Sequence, residues 1–194
     1  AISCGGVWIT QDGGESWSQG ADGMAYDFMP ADQGGADPDG QDPHRMVQCQ
    51  GSPDHYWVQH HCGIYRSQSG GNGWEEIKGV QPSGFGFAVT VHPENPDTAW
   101  FVPAVKDEKR YPADGKLIVN RTRDGGKTFE ALSQGLPSPP AYDLIYRHAL
   151  EIDPTGNELV MGSTTGGLWF SGDQGDHWES ISQNLPPVFC LQFA

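Results

Sequence analysis

One short pattern recurs four times along the chain and constrains its fold more strongly than any other feature. The pattern is Ser/Thr-x-Asp/Ser-x-Gly-x-x-aromatic, and its third positions are Asp12, Ser69, Asp124 and Asp173, which follow one another at intervals of 49–57 residues. A repeat period near 50 residues is typical of a propeller blade, in which each repeat is one small sheet. The 27 glycines and seven tryptophans suit short strands joined by tight turns with aromatic packing. The sequence therefore predicts an all-β chain.

The chemistry of the repeated pattern is that of a turn. An Asp side chain accepts hydrogen bonds from the backbone N–H groups that follow it, and glycine permits a positive φ. Ser makes a weaker version of the same turn. The closing aromatic ring is expected to pack between neighbouring sheets. We therefore predict that Asp12, Ser69, Asp124 and Asp173 are structural residues and not catalysts.

Short strands on either side of each pattern predict a single β-propeller or partial propeller over residues 1–194, with antiparallel four-stranded blades and about four blades in the chain. Blades two, three and four are predicted at residues 44–79, 85–133 and 142–183. Blade one combines residues 1–20 with residues 188–194, whose apolar strand is expected to pair beside residues 2–4 because an unpaired strand exposes a sheet edge. The ring could close within the chain, through further blades of a larger propeller, or between two chains, which would make a homo-oligomer.

Three longer stretches of the sequence give further evidence of a family resemblance, beyond the four repeats. They are Gln-His-His-Cys-Gly-Ile-Tyr-Arg-Ser at 59–67, Thr-Arg-Asp-Gly-Gly at 122–126 and Ala-Tyr-Asp-Leu-Ile-Tyr-Arg-His-Ala at 141–149. With the repeats, they resemble the BNR or Asp-box repeat β-propeller family, and in particular the C-terminal part of bacterial sialidase-like proteins that carry the name glycosyl hydrolase. The resemblance implies a propeller of more than four blades with no well-established activity. Because a fold does not determine a function, the hydrolase name needs evidence of its own.

The net charge of −14 narrows the class of partner. A nucleic-acid surface needs clustered Lys and Arg, and residues 1–44 contain none. No apolar run approaches the roughly 20 residues that span a bilayer. We therefore expect neither nucleic acid nor membrane, but a small-molecule or carbohydrate ligand, or a protein. Free thiols are the simplest prediction for the four cysteines, which leaves the location open but favours the cytoplasm.

The strand order predicts which end of the propeller carries a binding site. The turns between the first and second strands of each blade lie at the same end of the propeller as the repeated pattern. The other end carries the long segments 21–43, 80–86, 104–116 and 135–143. Long loops on a rigid scaffold usually carry function. The channel mouth at that end is predicted to be lined by His60, His61, Asp107, Glu108, Arg110, Tyr111, Tyr142 and Asp143, with Arg147 and His148 further down an inner strand.

Two metal sites can be considered from the sequence. Zinc at His60, His61 and Cys62 is disfavoured, because adjacent strand residues point to opposite faces. The carboxylates of Asp37, Asp39 and Asp42 have a spacing that suits calcium, but the loop departs from the EF-hand pattern, so a plain acidic loop is the competing interpretation. No other cofactor is predicted.

Two functions remain open from the sequence. The first is a binding or scaffold module that takes a ligand, with carbohydrate among the candidates, at the loop end of the channel. The alternative is a glycoside hydrolase of the sialidase-like type that uses carboxylates at the channel mouth. The Phe/Tyr-Arg-Ile-Pro motif of sialidases is absent from the chain, so the binding module is favoured.

Overall fold

The fold is built almost entirely from short antiparallel strands. The computed structural model describes residues 1–26 and 37–194. These residues form fifteen strands and two single-turn 3₁₀ segments, Pro38–Gly40 and Ala113–Gly115. No helix in this part of the chain is long and apolar enough to cross a bilayer.

Four sheets, here called blades one to four, follow one another along the chain. Blade one has two strands, β1 (Trp8–Ile9) and β2 (Ser18–Gln19). Blade two contains, in sheet order, β3 (Pro43–Gln48), β4 (Tyr56–His60), β5 (Gly63–Ser67) and β6 (Glu75–Ile77). Blade three contains β7 (Gly86–Val91), β8 (Ala99–Lys106), β9 (Lys109–Pro112), β10 (Val119–Thr122) and β11 (Glu130–Leu132), in the order β7-β8-β10-β11 with β9 paired to β8. Blade four contains β12 (Leu150–Ile152), β13 (Leu159–Gly162), β14 (Leu168–Ser171) and β15 (Glu179–Ser182).

The core lies between the faces of successive blades. Trp57, Val89 and Phe101 belong to one buried cluster that joins blades two and three. Trp100 and Trp169 belong to another that joins blades three and four. Each large apolar side chain buried in this way contributes about 1.5–3 kcal/mol, so packing between sheets is what holds the blades in order.

Tryptophan indoles also tie each blade to a neighbour by hydrogen bonds. The Nε1 of Trp74 donates to the carbonyl of Gly20 (2.7 Å) in the preceding blade. The Nε1 of Trp57 donates to the carbonyl of Pro96 (2.9 Å), and that of Trp100 to the carbonyl of Gln174 (2.8 Å), each in the following blade. A buried indole N–H needs a partner, and these pairs therefore fix how the blades are set against one another.

Two segments near the channel differ from the strands predicted. Arg147 and His148 were expected on an inner strand of blade four, but β12 starts only at Leu150, and the N–H of Ala149 donates to the carbonyl of Tyr146 (2.8 Å) in a turn before it. In the segment 104–116, β9 extends the hairpin from β8. Arg110 lies on this additional strand and contacts Phe87 and Tyr146.

The C-terminal segment packs on blade four instead of completing blade one. Val188 N–H donates to the carbonyl of Ser163 (2.9 Å), and Leu191 N–H donates to the carbonyl of His148 (2.8 Å). Ile2 forms its own short turn with Gly6. The predicted pairing of residues 188–194 beside residues 2–4 is therefore wrong in this chain. The physical reason is Gly162, because its missing side chain leaves the space that Val188 occupies.

Candidate functional site

Side chains from blades two, three and four and from the C-terminal segment come together beside the starts of β3, β7 and β12. Aromatic contacts link them in a row, from His44 stacked on Phe87 (ring centroids 4.6 Å apart) to Tyr146 (5.1 Å from Phe87) and then Phe189 (5.8 Å from Tyr146). We call this group the mouth cluster. Its members are Asp42, His44, His61, Phe85, Phe87, Asp107, Arg110, Tyr146 and Phe189.

Blade two supplies three of these side chains through the register of its first hairpin. Asp42 directly precedes β3, and His44 is the second residue of β3, at the point where the ladder with β4 shifts register. The N–H of His61 donates to the carbonyl of Asp42 (2.9 Å), which places His61 directly across the hairpin. Asp42 Oδ2 lies 3.7 Å from His44 Nε2 and 3.4 Å from His61 Nδ1.

His44 is held firmly. Its side chain is 2% exposed, its ring stacks on Phe87, and its Nδ1 lies 2.6 Å from the carbonyl oxygen of Gly86. Burial lowers the pKa of His44 below its ordinary value, since a charged imidazolium loses its hydration there. The ring is therefore neutral near neutral pH, with Nε2 facing Asp42.

Asp42 is oriented by the N-terminal residues. Its Oδ1 accepts hydrogen bonds from Ser3 Oγ (2.5 Å) and from the N–H of Cys4 (3.2 Å). Burial opposes the charged form, but the hydrogen bond from Ser3 and the neighbouring His44 together hold the pKa of Asp42 below its ordinary value. The carboxylate is thus anionic, and Oδ2 is turned towards the two histidines.

Arg110 places a cation and hydrogen-bond donors at the opening. Its guanidinium carbon lies 5.5 Å from the centroid of the Phe87 ring. It donates to Tyr146 Oη (2.7 Å) and to Asp107 Oδ1 (2.6 Å). Cation–π contact and two polar anchors define the direction of the guanidinium, which remains about half exposed.

The structure brings His61, Asp107 and Arg110, among the predicted site residues, into the mouth cluster. Glu108 is an exposed side chain that pairs with Lys106 (3.3 Å). Tyr111 and Tyr142 make an edge-on pair of their own, with centroids 6.5 Å apart.

The remaining predicted residues have other surroundings. His60 is fully buried against Tyr65, and its ring nitrogens lie near the backbone N–H groups of Asp42 and Cys62. Asp143 accepts hydrogen bonds from Ser163 and Thr165. Arg147 donates to Ser3 Oγ (3.4 Å), whereas His148 is exposed. Their predicted place on an inner strand is wrong, because they lie in the turn before β12.

Sequence reasoning missed five members of the cluster, which are His44, Phe85, Phe87, Tyr146 and Phe189. A signal for His44 was present, because Asp42-Pro-His44 places an acid and an imidazole two residues apart at a strand start. Nothing local marks Phe85 and Phe87 as site residues, since apolar side chains at a strand start look like core.

The structure does not support a calcium site at Asp37, Asp39 and Asp42. Asp37 accepts the N–H of Asp39 (3.1 Å), and Asp39 itself contacts Gln19. Asp42 instead joins His44 and His61, and in the part of the chain that the structure describes this is the single group of three such side chains with ligand atoms within 4.8 Å of one another. Asp37 caps the 3₁₀ turn Pro38–Gly40, so its carboxylate takes part in the turn.

Comparison with solved structures identifies the architecture. No protein-family model matches the chain, and no curated protein matches it. An ancestral GH74 enzyme matches with a TM-score of 0.65 and 16% identity, over 94% of this chain and 22% of that one. The GH74 xyloglucanase from Xanthomonas campestris matches with a TM-score of 0.54 and 19% identity, over 83% of this chain and 21% of that one. YCF48 bound to the D1 peptide matches with a TM-score of 0.52 and 18% identity, over 74% of this chain and 42% of that one.

The fold is a β-propeller. These identities are too low to show more than the fold. The chain spans less than half the length of each of these three propellers.

This propeller also has a cavity of about 380 Å³ whose lining includes no residue of the mouth cluster. Arg45, Thr90, Glu151 and Asp153 contribute to its lining. Arg45 is already bonded to Glu151 (2.8 Å) and to the carbonyls of Arg147 and Leu150 (2.6 and 2.7 Å). Because these polar groups satisfy one another, we place the candidate site at the mouth cluster.

The carboxylates of the repeated pattern lie in turns. Asp12, Asp124 and Asp173 each accept the backbone N–H four residues ahead at 2.9 Å. In the second copy Ser69 Oγ donates to the carbonyl of Asn72 (2.6 Å). None of these contacts involves a residue of the mouth cluster.

Proposed function

We propose that this propeller is a binding module that takes a carbohydrate ligand at the mouth cluster. The observation that carries the proposal is the convergence of aromatic rings with a guanidinium and an imidazole from separate blades. A sugar ring packs its C–H face on an aromatic side chain and offers hydroxyls to charged and polar groups. Pockets with aromatic walls and a few fixed polar groups are typical of small-ligand sites.

The aromatic surface is available to a ligand. Phe189 is 57% exposed and lies against Tyr146, which is itself anchored by Arg110. Phe87 itself is buried between His44 and Arg110, so a ligand would meet the exposed ring of Phe189 and the half-exposed guanidinium of Arg110. The structural neighbours guide the choice of probe, since one is a xyloglucanase and another is bound to a peptide.

A glycoside hydrolase acting through the mouth carboxylates is the second candidate, and the GH74 neighbours favour it. A hydrolase needs one carboxylic acid that stays protonated near neutral pH, which requires a raised pKa. The pKa of Asp42 and that of Glu108 are both lowered, and Asp107 is paired with Arg110. These features favour binding over hydrolysis.

The proposal is tested by calorimetric titration with xyloglucan oligosaccharides and a panel of other glucan oligosaccharides. Arg110→Gln is expected to weaken binding about tenfold or more, because a hydrogen bond from a charged group is worth about 1.5–3 kcal/mol. Arg123→Gln is the matched control, since it removes the same charge from an exposed side chain of the repeated pattern in blade three. It is expected to bind like the parent chain.

Two results would contradict the proposal. One is the absence of binding across the oligosaccharide panel, and the other is an equal loss in the Arg110 and Arg123 variants. Binding of an extended peptide instead, with the same dependence on Arg110, would move the ligand class to protein. Release of reducing ends that disappears in Asp107→Asn would establish the hydrolase.

A further inference from the structure

The three polar side chains of blade two in the mouth cluster have a geometry that sugar binding does not require. Asp42 Oδ2 stands 3.4 Å from His61 Nδ1 and 3.7 Å from His44 Nε2. Good hydrogen bonds between such groups are shorter than about 3.2 Å. In a tetrahedral zinc site, with metal–ligand bonds of about 2.0–2.1 Å, neighbouring ligand atoms stand about 3.3–3.4 Å apart. The observed separations are therefore closer to metal-ligand spacing than to hydrogen bonds.

We propose that Asp42, His44 and His61 form a binding site for a divalent transition-metal ion of the zinc type. Two imidazoles and one carboxylate are ligands that zinc and its first-row neighbours accept. The proposal goes beyond carbohydrate binding and does not depend on it, because the metal alone can be titrated.

The atoms behind the ligands are arranged as metal sites require. The Gly86 carbonyl can only accept a hydrogen bond, so His44 Nδ1, 2.6 Å away, carries the proton. The lone pair of His44 is then on Nε2, which faces the other two ligands. A backbone carbonyl on the distal nitrogen is a common second partner of metal-binding histidines, since it fixes both the tautomer and the ring direction.

Asp42 is prepared in the same manner. Ser3 Oγ and the N–H of Cys4 both donate to Oδ1, at 2.5 and 3.2 Å, and leave Oδ2 for the ion. The cation of Arg147 reaches the cluster through Ser3, which is on the Oδ1 side. The carboxylate thus separates that positive charge from the proposed ion.

The burial of the three side chains defines an open side. Their exposed fractions are 2% for His44, 11% for Asp42 and 24% for His61. The closed side is formed by Phe87 under His44 and by Phe85, whose ring is 5.6 Å from those of both His44 and His61. Three protein ligands with one side open leave a coordination position for water or a ligand atom.

Metal binding is tested on the whole chain after removal of bound metal with a chelator and exchange into metal-free buffer. Calorimetric titration with Zn²⁺ is expected to give one ion per chain, accompanied by a rise in melting temperature. His61→Gln and Asp42→Asn each remove one ligand with little change in size. Losing even a single second-sphere partner commonly lowers metal affinity by about 10–100-fold. We therefore expect each of these ligand variants to bind Zn²⁺ at least about 100-fold more weakly than the parent chain.

His148→Gln is the matched control, because His148 is an exposed histidine outside the cluster. It is expected to keep the affinity of the parent chain. Circular dichroism of each variant reports whether it is folded. If neither ligand variant folds, nitrogen-15 NMR of the histidine rings in the parent chain provides the test. Zn²⁺ should shift the ring signals of His44 and His61 and leave that of His148 unchanged.

The proposal is overturned if the parent chain binds no Zn²⁺, or if the folded His61 and Asp42 variants bind it as tightly as the parent does. It is also overturned if ring signals other than those of His44 and His61 carry the Zn²⁺-dependent shift. A parent chain that binds Zn²⁺ but no oligosaccharide would contradict the carbohydrate proposal and support the metal site.

Discussion

At the scale of single residues, the repeated pattern uses the same three hydrogen bonds in three blades. The third-blade copy shows them clearly. Thr122 Oγ1 accepts the N–H of Gly126 (2.8 Å), and Asp124 Oδ1 accepts the N–H of Thr128 (2.9 Å). Thr128 Oγ1 closes the turn on Asp124 Oδ2 (2.6 Å). These bonds lower the pKa of Asp124 to about 2, because they favour the charged carboxylate. We therefore propose that Asp124 and its counterparts hold turns.

Replacing Asp124 by Ala is expected to lower the melting temperature by a few degrees, because two hydrogen bonds from Thr128 are lost. Ligand binding at the mouth cluster should be unchanged. Glu179→Ala, which removes an exposed carboxylate from β15, is the control and should leave the melting temperature close to that of the parent chain.

The effect of Asp124→Ala should also depend on pH with a definite sign. A carboxylate whose folded pKa is lowered stabilises the fold above its unfolded pKa of about 3.9 and loses that effect as the pH falls through about 2. The difference in stability between parent and variant should thus be constant above pH 5 and shrink in acid. A difference that grew on acidification would reject the turn assignment.

At the scale of elements, Arg45 on β3 connects blade two to blade four across the channel. Its guanidinium donates to the carbonyls of Arg147 and Leu150 and pairs with Glu151, and its side chain is 9% exposed. Arg147 lies in the turn before β12, and Leu150 is the first residue of β12. Arg45 therefore supplies donors to backbone carbonyls at the start of β12.

Arg45→Met is expected to destabilise the chain by about 2–4 kcal/mol, because it leaves buried carbonyls and Glu151 without their donor. Glu151→Gln should cost less, since the bonds from Arg45 to the carbonyls persist. Denaturant unfolding of both variants measures the two losses. Equal losses would mean that the ion pair, and not the carbonyl contacts, stabilises this junction.

At the scale of the whole molecule, the C-terminal segment links blade four to the mouth cluster. Val188 packs over Gly162, and the backbone N–H of Leu191 donates to the carbonyl of His148. The ring of Phe189 contacts that of Tyr146. The segment thus depends on a glycine in β13 for its position, and it contributes an aromatic ring to the proposed ligand site.

Gly162→Ala is expected to displace this segment, because the added Cβ would overlap Val188. We predict faster proteolysis after residue 187 and weaker oligosaccharide binding. Gly172→Ala is the matched control, since a Cβ there meets Phe170 at an ordinary 3.5 Å. Unchanged proteolysis of the Gly162 variant would show that the segment is held by other contacts.

The repeated pattern predicts antiparallel four-stranded sheets, and blades two, three and four each contain such a sheet. The strands around the repeated pattern are local, since each turn carries its own Gly and hydrogen-bonding side chain. The start of β12 could not be predicted, because residues 144–149 are apolar enough for a strand, whereas their turn and its contact with Arg45 depend on residues far away in the sequence. The pairing of residues 188–194 was also beyond local reasoning, since it depends on the space above Gly162.

The sequence by itself determined the all-β class, the repeat and the turn chemistry, because these depend on residues no more than a few positions apart. It also named His61, Asp107 and Arg110 as candidate site residues. Only the tertiary structure decided that His44 and Asp42 face His61, and that Phe87 and Tyr146 lie under Arg110. Those neighbours come from different strands and blades, and their distances are set by how whole sheets pack, which no local pattern encodes.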